Sequence, residues 1–155
     1  MVYSVYHYFK WKRELDKIKV YRGFVKTGRG AGAVEMSIPG VLEVFQLLTG
    51  LPVIPGTLNL DLTEPFDYKL LKYVTFAELG LEFNPIKQGI EYDGEIAMHY
   101  GRVIIADKYP ACVIFFTWVD NPYYHAEVIS PYHLRSNLDL KDGDIVEFTL
   151  IENPL

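Results

Sequence analysis

Residues 57 to 62 set the clearest pattern in the chain. Leu58, Leu60 and Leu62 alternate with Thr57, Asn59 and Asp61, just after a Pro55-Gly56 turn. Successive side chains on a strand point to opposite faces. The leucines therefore enter a core, and a hydroxyl, an amide and a carboxylate line the other side. That side is either the wet face of a half-buried strand or a small polar platform for a ligand or a hard metal ion. Alternation alone fits both. Val20 to Thr27 is also strand-like, and Val34 to Ile38 is extended until Pro39-Gly40 breaks it. Val41 to Thr49 has apolar residues at 41, 42, 44, 45, 47 and 48, which predicts a short helix buried along much of its surface. Gly50 stands where a C-terminal cap belongs. Glu64 to Asn84 is mixed, with a short helical turn near Tyr68 to Tyr73 and an extended Leu79 to Phe83.

From Gly89 onward the pattern is one of strands. Gly89 to Met98, Arg102 to Ala106, Ala111 to Val119, His125 to Ser130 and Ile145 to Ile151 are separated by Asp, Gly and Pro turn signals. Tyr132 to Leu138 reads as a short helical turn. Many short strands with one or two helices predict a compact, mostly-β barrel. Residues 1 to 19 mix aromatic and charged side chains and read as a peripheral arm or helix, with 20 to 155 forming a single barrel domain.

Composition narrows the function classes. The chain has 155 residues, enough for one domain with a real core. Its net charge of −5 is a poor match to a nucleic-acid-binding surface. No apolar run is long enough to span a membrane, and the N-terminus lacks the apolar centre of a signal peptide. The single cysteine, Cys112, fits a reducing interior and lies in the apolar run 111 to 116, where a buried, inert thiol is expected. These features point to a cytoplasmic monomer with no nucleic-acid and no membrane partner.

Three features are candidates for chemistry. Gly28-Arg29-Gly30-Ala31-Gly32-Ala33 has glycine at every second position. Such a loop lets a ligand approach the main chain and can offer amides to phosphate oxygens, although a glycine-rich turn with no ligand has the same look. No Gly-Lys-Ser/Thr follows, so it is not a Walker loop. Thr57 and Asn59 point the same way, and hard cations such as Mg²⁺ take oxygen ligands of this kind beside substrate phosphates. Glu127 alternates with Ala126 and Val128, so it faces away from them. On a strand it is either a solvated carboxylate or, facing a site, a general base for a hydroxyl. The four histidines show no metal-ligand spacing, and no Gly-x-Ser-x-Gly elbow occurs.

In order along the chain, these pieces resemble the archaeal CTP-dependent riboflavin kinases. The resemblance is carried by residues 28 to 33, Ile38-Pro39, the 41 to 50 helix and Pro55 to Leu60 in the first half. Glu127 to Pro131, Leu134-Arg135 and Leu138 to Val146 carry it in the second. It implies a six-stranded cradle-loop β-barrel that transfers the γ-phosphate of CTP to the 5′-hydroxyl of riboflavin, giving FMN and CDP. It implies nucleotide contacts at Gly28, Arg29, Gly30, Ala31, Gly32 and Ala33 and at Tyr132, His133, Leu134 and Arg135. It further implies Mg²⁺ on Thr57 and Asn59, and flavin contacts at Glu127 and at Thr117, the nearest threonine before it. Glu127 would orient or deprotonate the ribityl hydroxyl, while Asp61 reads as an ordinary polar strand residue. The chain departs from the family at Ala31 and Ala33, where an acidic and a basic residue are usual, and at Ser136, where glutamate is common. Those departures motivate an alternative, a non-catalytic flavin- or nucleotide-binding barrel. A DNA-binding swapped-hairpin barrel shares the closing strand but is opposed by the acidic balance.

Overall fold

The computed structural model describes residues 19–28, 36 and 38–151. Its strands are β1 (Val20–Lys26), β2 (Leu58–Leu62), β3 (Lys72–Thr75), β4 (Ala97–Ile105), β5 (Tyr109–Phe116), β6 (His125–Ile129) and β7 (Ile145–Leu150). Among the described residues two short α-helices are bounded, α1 (Val41–Thr49) and α2 (Leu134–Asn137). The order β4-β5-β6-β2-β1-β7 closes on itself through a β4–β7 pairing, so six antiparallel strands form a barrel. β3 lies outside the ring, paired with the first half of β4, and β7 takes the second half.

Alternation decides what each face of the barrel carries. The inner core takes Tyr21 and Val25 from β1, the three leucines of β2, and Ala126 and Val128 of β6. It also takes Val113 and Phe115 of β5 and Val146 and Phe148 of β7. Phe66, from the segment after β2, joins them and stacks on Tyr21 with centroids 4.3 Å apart. A second core lies on the outer face. There Met98, Cys112, Ile114 and Ile129 project from β4, β5 and β6 against Phe45 of α1, Val53 and Val74. Cys112 is buried among them, and burial pushes its thiol up to about 12, so it is inert as expected.

Helix α1 has the predicted bounds. Gly50 ends it in the left-handed region with φ 68°, which glycine adopts without a Cβ clash. The Arg102 side chain donates to the Thr49 carbonyl at 2.7 Å and ties this end of the helix to β4. The helix is less covered than its apolar content suggests, because Leu47 is 84% exposed.

The structure corrects the reading between 79 and 106. Gly89 to Met98 and Arg102 to Ala106 are not two strands. One strand, β4, runs through Gly101, and residues 89 to 96 precede it outside any strand. Gly101 is not a turn: a Cβ there would lie 2.7 Å from the Leu71 side chain, so glycine is the residue that fits. Leu79 to Phe83 is turn and irregular chain, and β3 stands earlier, at Lys72–Thr75. Of the extended stretch expected over 34 to 38, only Met36 and Ile38 are described, and neither is in a strand. The arm expected over 1 to 19 lies outside the described residues except for Lys19. Among the described residues no helix is long and apolar enough to cross a membrane.

Candidate active site

The outer faces of β1, β2, β6 and β5 form the floor of a cavity of about 1500 Å³. Strand register brings Lys26, Asn59, Glu127 and Ile114 into one row across this floor. Each points outward because its neighbours Val25, Leu58, Leu60, Ala126 and Val128 point into the barrel. Val41 and Phe45 of α1 line one wall, and Phe76, Leu81 and Phe83 line another part.

The polar end holds a connected group. The Thr57 hydroxyl donates to Glu127 Oε1 at 3.0 Å, and Asn59 Nδ2 approaches Thr57 Oγ1 at 3.4 Å. Gly28 passes so close above Asn59 that a Cβ on it would sit 2.3 Å from Asn59 Nδ2. Arg135, also in the cavity wall, is clamped to the strand that leads into the glycine loop. Its Nη2 donates to the Lys26 carbonyl at 3.1 Å and to Asp142 Oδ1 at 2.7 Å. The Thr27 hydroxyl donates to the other oxygen of Asp142. These bonds, first that from Thr27 and then that from Arg135, hold the Asp142 carboxyl below its ordinary range. The 141–144 turn is thereby fastened beside Gly28, and the Gly143 amide reinforces it by donating to the Val25 carbonyl at 2.7 Å.

The structure thus brings Gly28, Thr57, Asn59, Glu127 and Arg135 to one cavity. Tyr132, His133 and Leu134 border a smaller adjoining pocket together with Gly56, Thr57 and Arg135. His133 caps α2, its Nδ1 lying 2.8 Å from the Ser136 hydroxyl, and the Leu134 side chain is spent on the inner core. Arg29, Gly30, Ala31, Gly32 and Ala33 lie outside the described residues. Thr117 is placed apart from this group. Its hydroxyl donates to the Glu95 carbonyl at 2.8 Å and accepts the Ala97 amide at 3.1 Å, while its neighbours Phe116 and Trp118 face the cavity.

Sequence reasoning missed a second polar group on the same floor. Lys26 Nζ donates to Asp61 Oδ1 at 2.6 Å and lies 3.1 Å from His125 Nδ1. An ammonium has only donors, so Nδ1 must accept and the imidazole carries its proton on Nε2. Burial, and then the Lys26 charge, hold His125 below its ordinary pKa in keeping with that neutral form. Asp61 thus pairs with Lys26 while its own side chain stays 57% exposed. Its position two residues from Asn59 was the available signal, as was the spacing of His125 from Glu127.

A family model named for CTP-dependent riboflavin kinases, and described as a domain of unknown function, DUF120, matches residues 25–150. The chain belongs to the CTP-dependent riboflavin kinase family. It is similar to the riboflavin kinase of Sulfurisphaera tokodaii, 30% identical over 131 residues that cover 84% of this chain and 94% of that one. It is 34% identical to the riboflavin kinase of Methanocella arvoryzae over 136 residues, 84% of this chain and 56% of the relative. With the riboflavin kinase of Thermofilum pendens it shares 31% identity over 146 residues, 90% of this chain and 63% of the other. The chain therefore spans nearly all of the first relative and less than two thirds of the other two. A riboflavin kinase is a phosphotransferase with an alcohol acceptor, and that is the enzyme class of the family.

Proposed function

We propose that the chain transfers the γ-phosphate of CTP to the 5′-hydroxyl of riboflavin, giving FMN and CDP. The observation that carries this reading is the meeting of Thr57, Asn59 and Glu127 at the polar end of one cavity whose farther walls are aromatic. Phosphoryl transfer asks a protein mainly for positioning and charge neutralisation. Gly28, with the loop it opens, and Arg135 hold the nucleotide in this reading, and Arg135 supplies charge-assisted hydrogen bonds. Glu127 accepts the proton of the ribityl 5′-hydroxyl as its oxygen bonds to the γ-phosphorus. The bond from phosphorus to the bridging oxygen breaks, and CDP leaves with that oxygen. Thr57, by donating to Glu127, fixes the carboxylate for this role.

The donors also suit a hard cation. Thr57 and Asn59 offer a hydroxyl and an amide oxygen, and Gly28 lets the main chain pass close to the Asn59 amide, where a Cβ would clash at 2.3 Å. Thr57 and Asn59 are neutral ligands, so in this reading the phosphates of the nucleotide supply the negative charge. This fits Mg²⁺, which keeps waters and shares itself between protein and phosphate oxygens. Bound by Thr57 and Asn59, it would neutralise charge on the phosphates.

The test is to incubate the protein with Mg²⁺, riboflavin and CTP, ATP, GTP or UTP in turn, and to separate the flavins. FMN with CTP is the expected result. No FMN with any nucleotide would overturn the reading, and riboflavin binding without product would mark a non-catalytic barrel. A second expectation follows from the approach of Gly28 to Asn59. Gly28→Ala should push the Asn59 amide away from Thr57 and lower kcat/KM roughly ten- to a hundredfold, the scale of a misplaced site. Steady-state kinetics on a folded variant check this, and an unchanged kcat/KM would remove the contact from the reaction.

A further inference from the structure

The register orders the cavity along one axis. From the Glu127 row, β1 runs toward Gly28, and β2, followed backward, leads to Thr57. In the opposite direction, β2 leads to Asp61, β6 to His125, and β5 from Ile114 to Phe116. Trp118 follows beyond Phe116, and its ring stacks on Phe83 at 4.4 Å and on Phe116 at 4.7 Å. The Lys26–Asp61–His125 group therefore lies between Glu127 and an aromatic end. His125 and Glu127 are two residues apart on one strand, which separates them by about 7 Å.

We infer that Asp61, Lys26 and His125 form a polyol subsite that holds the ribityl chain of the flavin between Glu127 and the aromatic end. This rests on the riboflavin kinase reading and specifies how its acceptor is chosen. A polyol carries hydroxyls that both donate and accept. The group offers both kinds of partner: Asp61 accepts, Lys26 donates, and His125 keeps Nε2–H as a donor. Two of the three side chains are charged, so hydroxyls bound to them make the stronger class of hydrogen bond. The flat apolar walls, with Phe116 level with His125 and Trp118 beyond it, suit a fused aromatic ring. A flavin without its polyol would fill the aromatic end and leave this group unpaired by ligand.

The experiment compares riboflavin with lumiflavin, which has the same ring system and a methyl group in place of the ribityl chain. Binding is read by flavin fluorescence in titrations of the full chain and of Asp61→Asn and Lys26→Met. The expected result is a riboflavin Kd raised roughly tenfold or more in each variant, as for loss of a hydrogen bond to a charged group. The lumiflavin Kd should stay within twofold, which also shows that the aromatic end remains folded. Equal weakening of both flavins, or no weakening of riboflavin, would overturn the polyol subsite while FMN production by the unaltered chain still upholds the kinase reading. If the unaltered chain binds riboflavin no better than lumiflavin, the subsite again falls by itself. Failure of the unaltered chain to bind any flavin would bring down both.

Discussion

Replacing Glu127 by glutamine is expected to lower kcat for FMN formation by about 10²–10⁴-fold, the range for losing a general base. Riboflavin binding should persist. Glutamine keeps the length of the side chain, and its carbonyl oxygen can still accept the Thr57 hydroxyl bonded at 3.0 Å in the native site. What it loses is the ability to take a proton. The backbone will not move to compensate, because Glu127 sits between Ala126 and Val128, both buried in the barrel. It is also paired to Asn59 on one side and Ile114 on the other. Rapid-quench turnover together with a fluorescence titration separates the two quantities. Full turnover would take Glu127 out of the role of base. Loss of riboflavin binding in step with turnover would recast it as a binding residue.

Much of this arrangement was legible in the chain because it is local. The alternation through 57 to 62 has the period of a strand, and the leucines enter the barrel while Asn59 and Asp61 stay outside. The helix over 41 to 49 could be bounded because Gly50 marks its end. Gly101 misled the reading for a physical reason. Glycine signals a turn by its backbone freedom, yet here it serves a close packing of side chains across the barrel. Thr117 came from the resemblance alone, and its hydroxyl stands at the end of the β4–β5 hairpin, bonded to the Ala97 amide and the Glu95 carbonyl. For the Lys26–Asp61–His125 group, strand spacing hinted at Asp61 and His125 but not at their meeting with Lys26. Its members are 35 and 99 positions apart, and register alone brings them together. Periodicity predicted the geometry around Thr57 and Asn59, whereas the chemistry assigned to them came from the resemblance.

Phe66→Ala should have the largest effect on stability and little effect on turnover. Phe66 is 2% exposed, and its ring lies 4.3 Å from that of Tyr21, 4.9 Å from Phe115 and 6.3 Å from Phe148. Those rings come from β1, β5 and β7, so the side chain joins three strands of the closed barrel. Truncating a buried phenylalanine costs about 3–5 kcal/mol, transfer and cavity together. For a chain of this size each kcal/mol shifts Tm by about 2–4 °C, so a fall of roughly 6–20 °C is expected in a thermal melt. The cavity that carries Glu127 lies on the other side of β1 and β5, and Phe66 is not among its walls. Below the melt, kcat and the riboflavin Kd should therefore match those of the unaltered chain. A variant that melts normally would show that the inner core tolerates the void. A folded variant with depressed kcat would show instead that inner packing holds the outer face in its active shape.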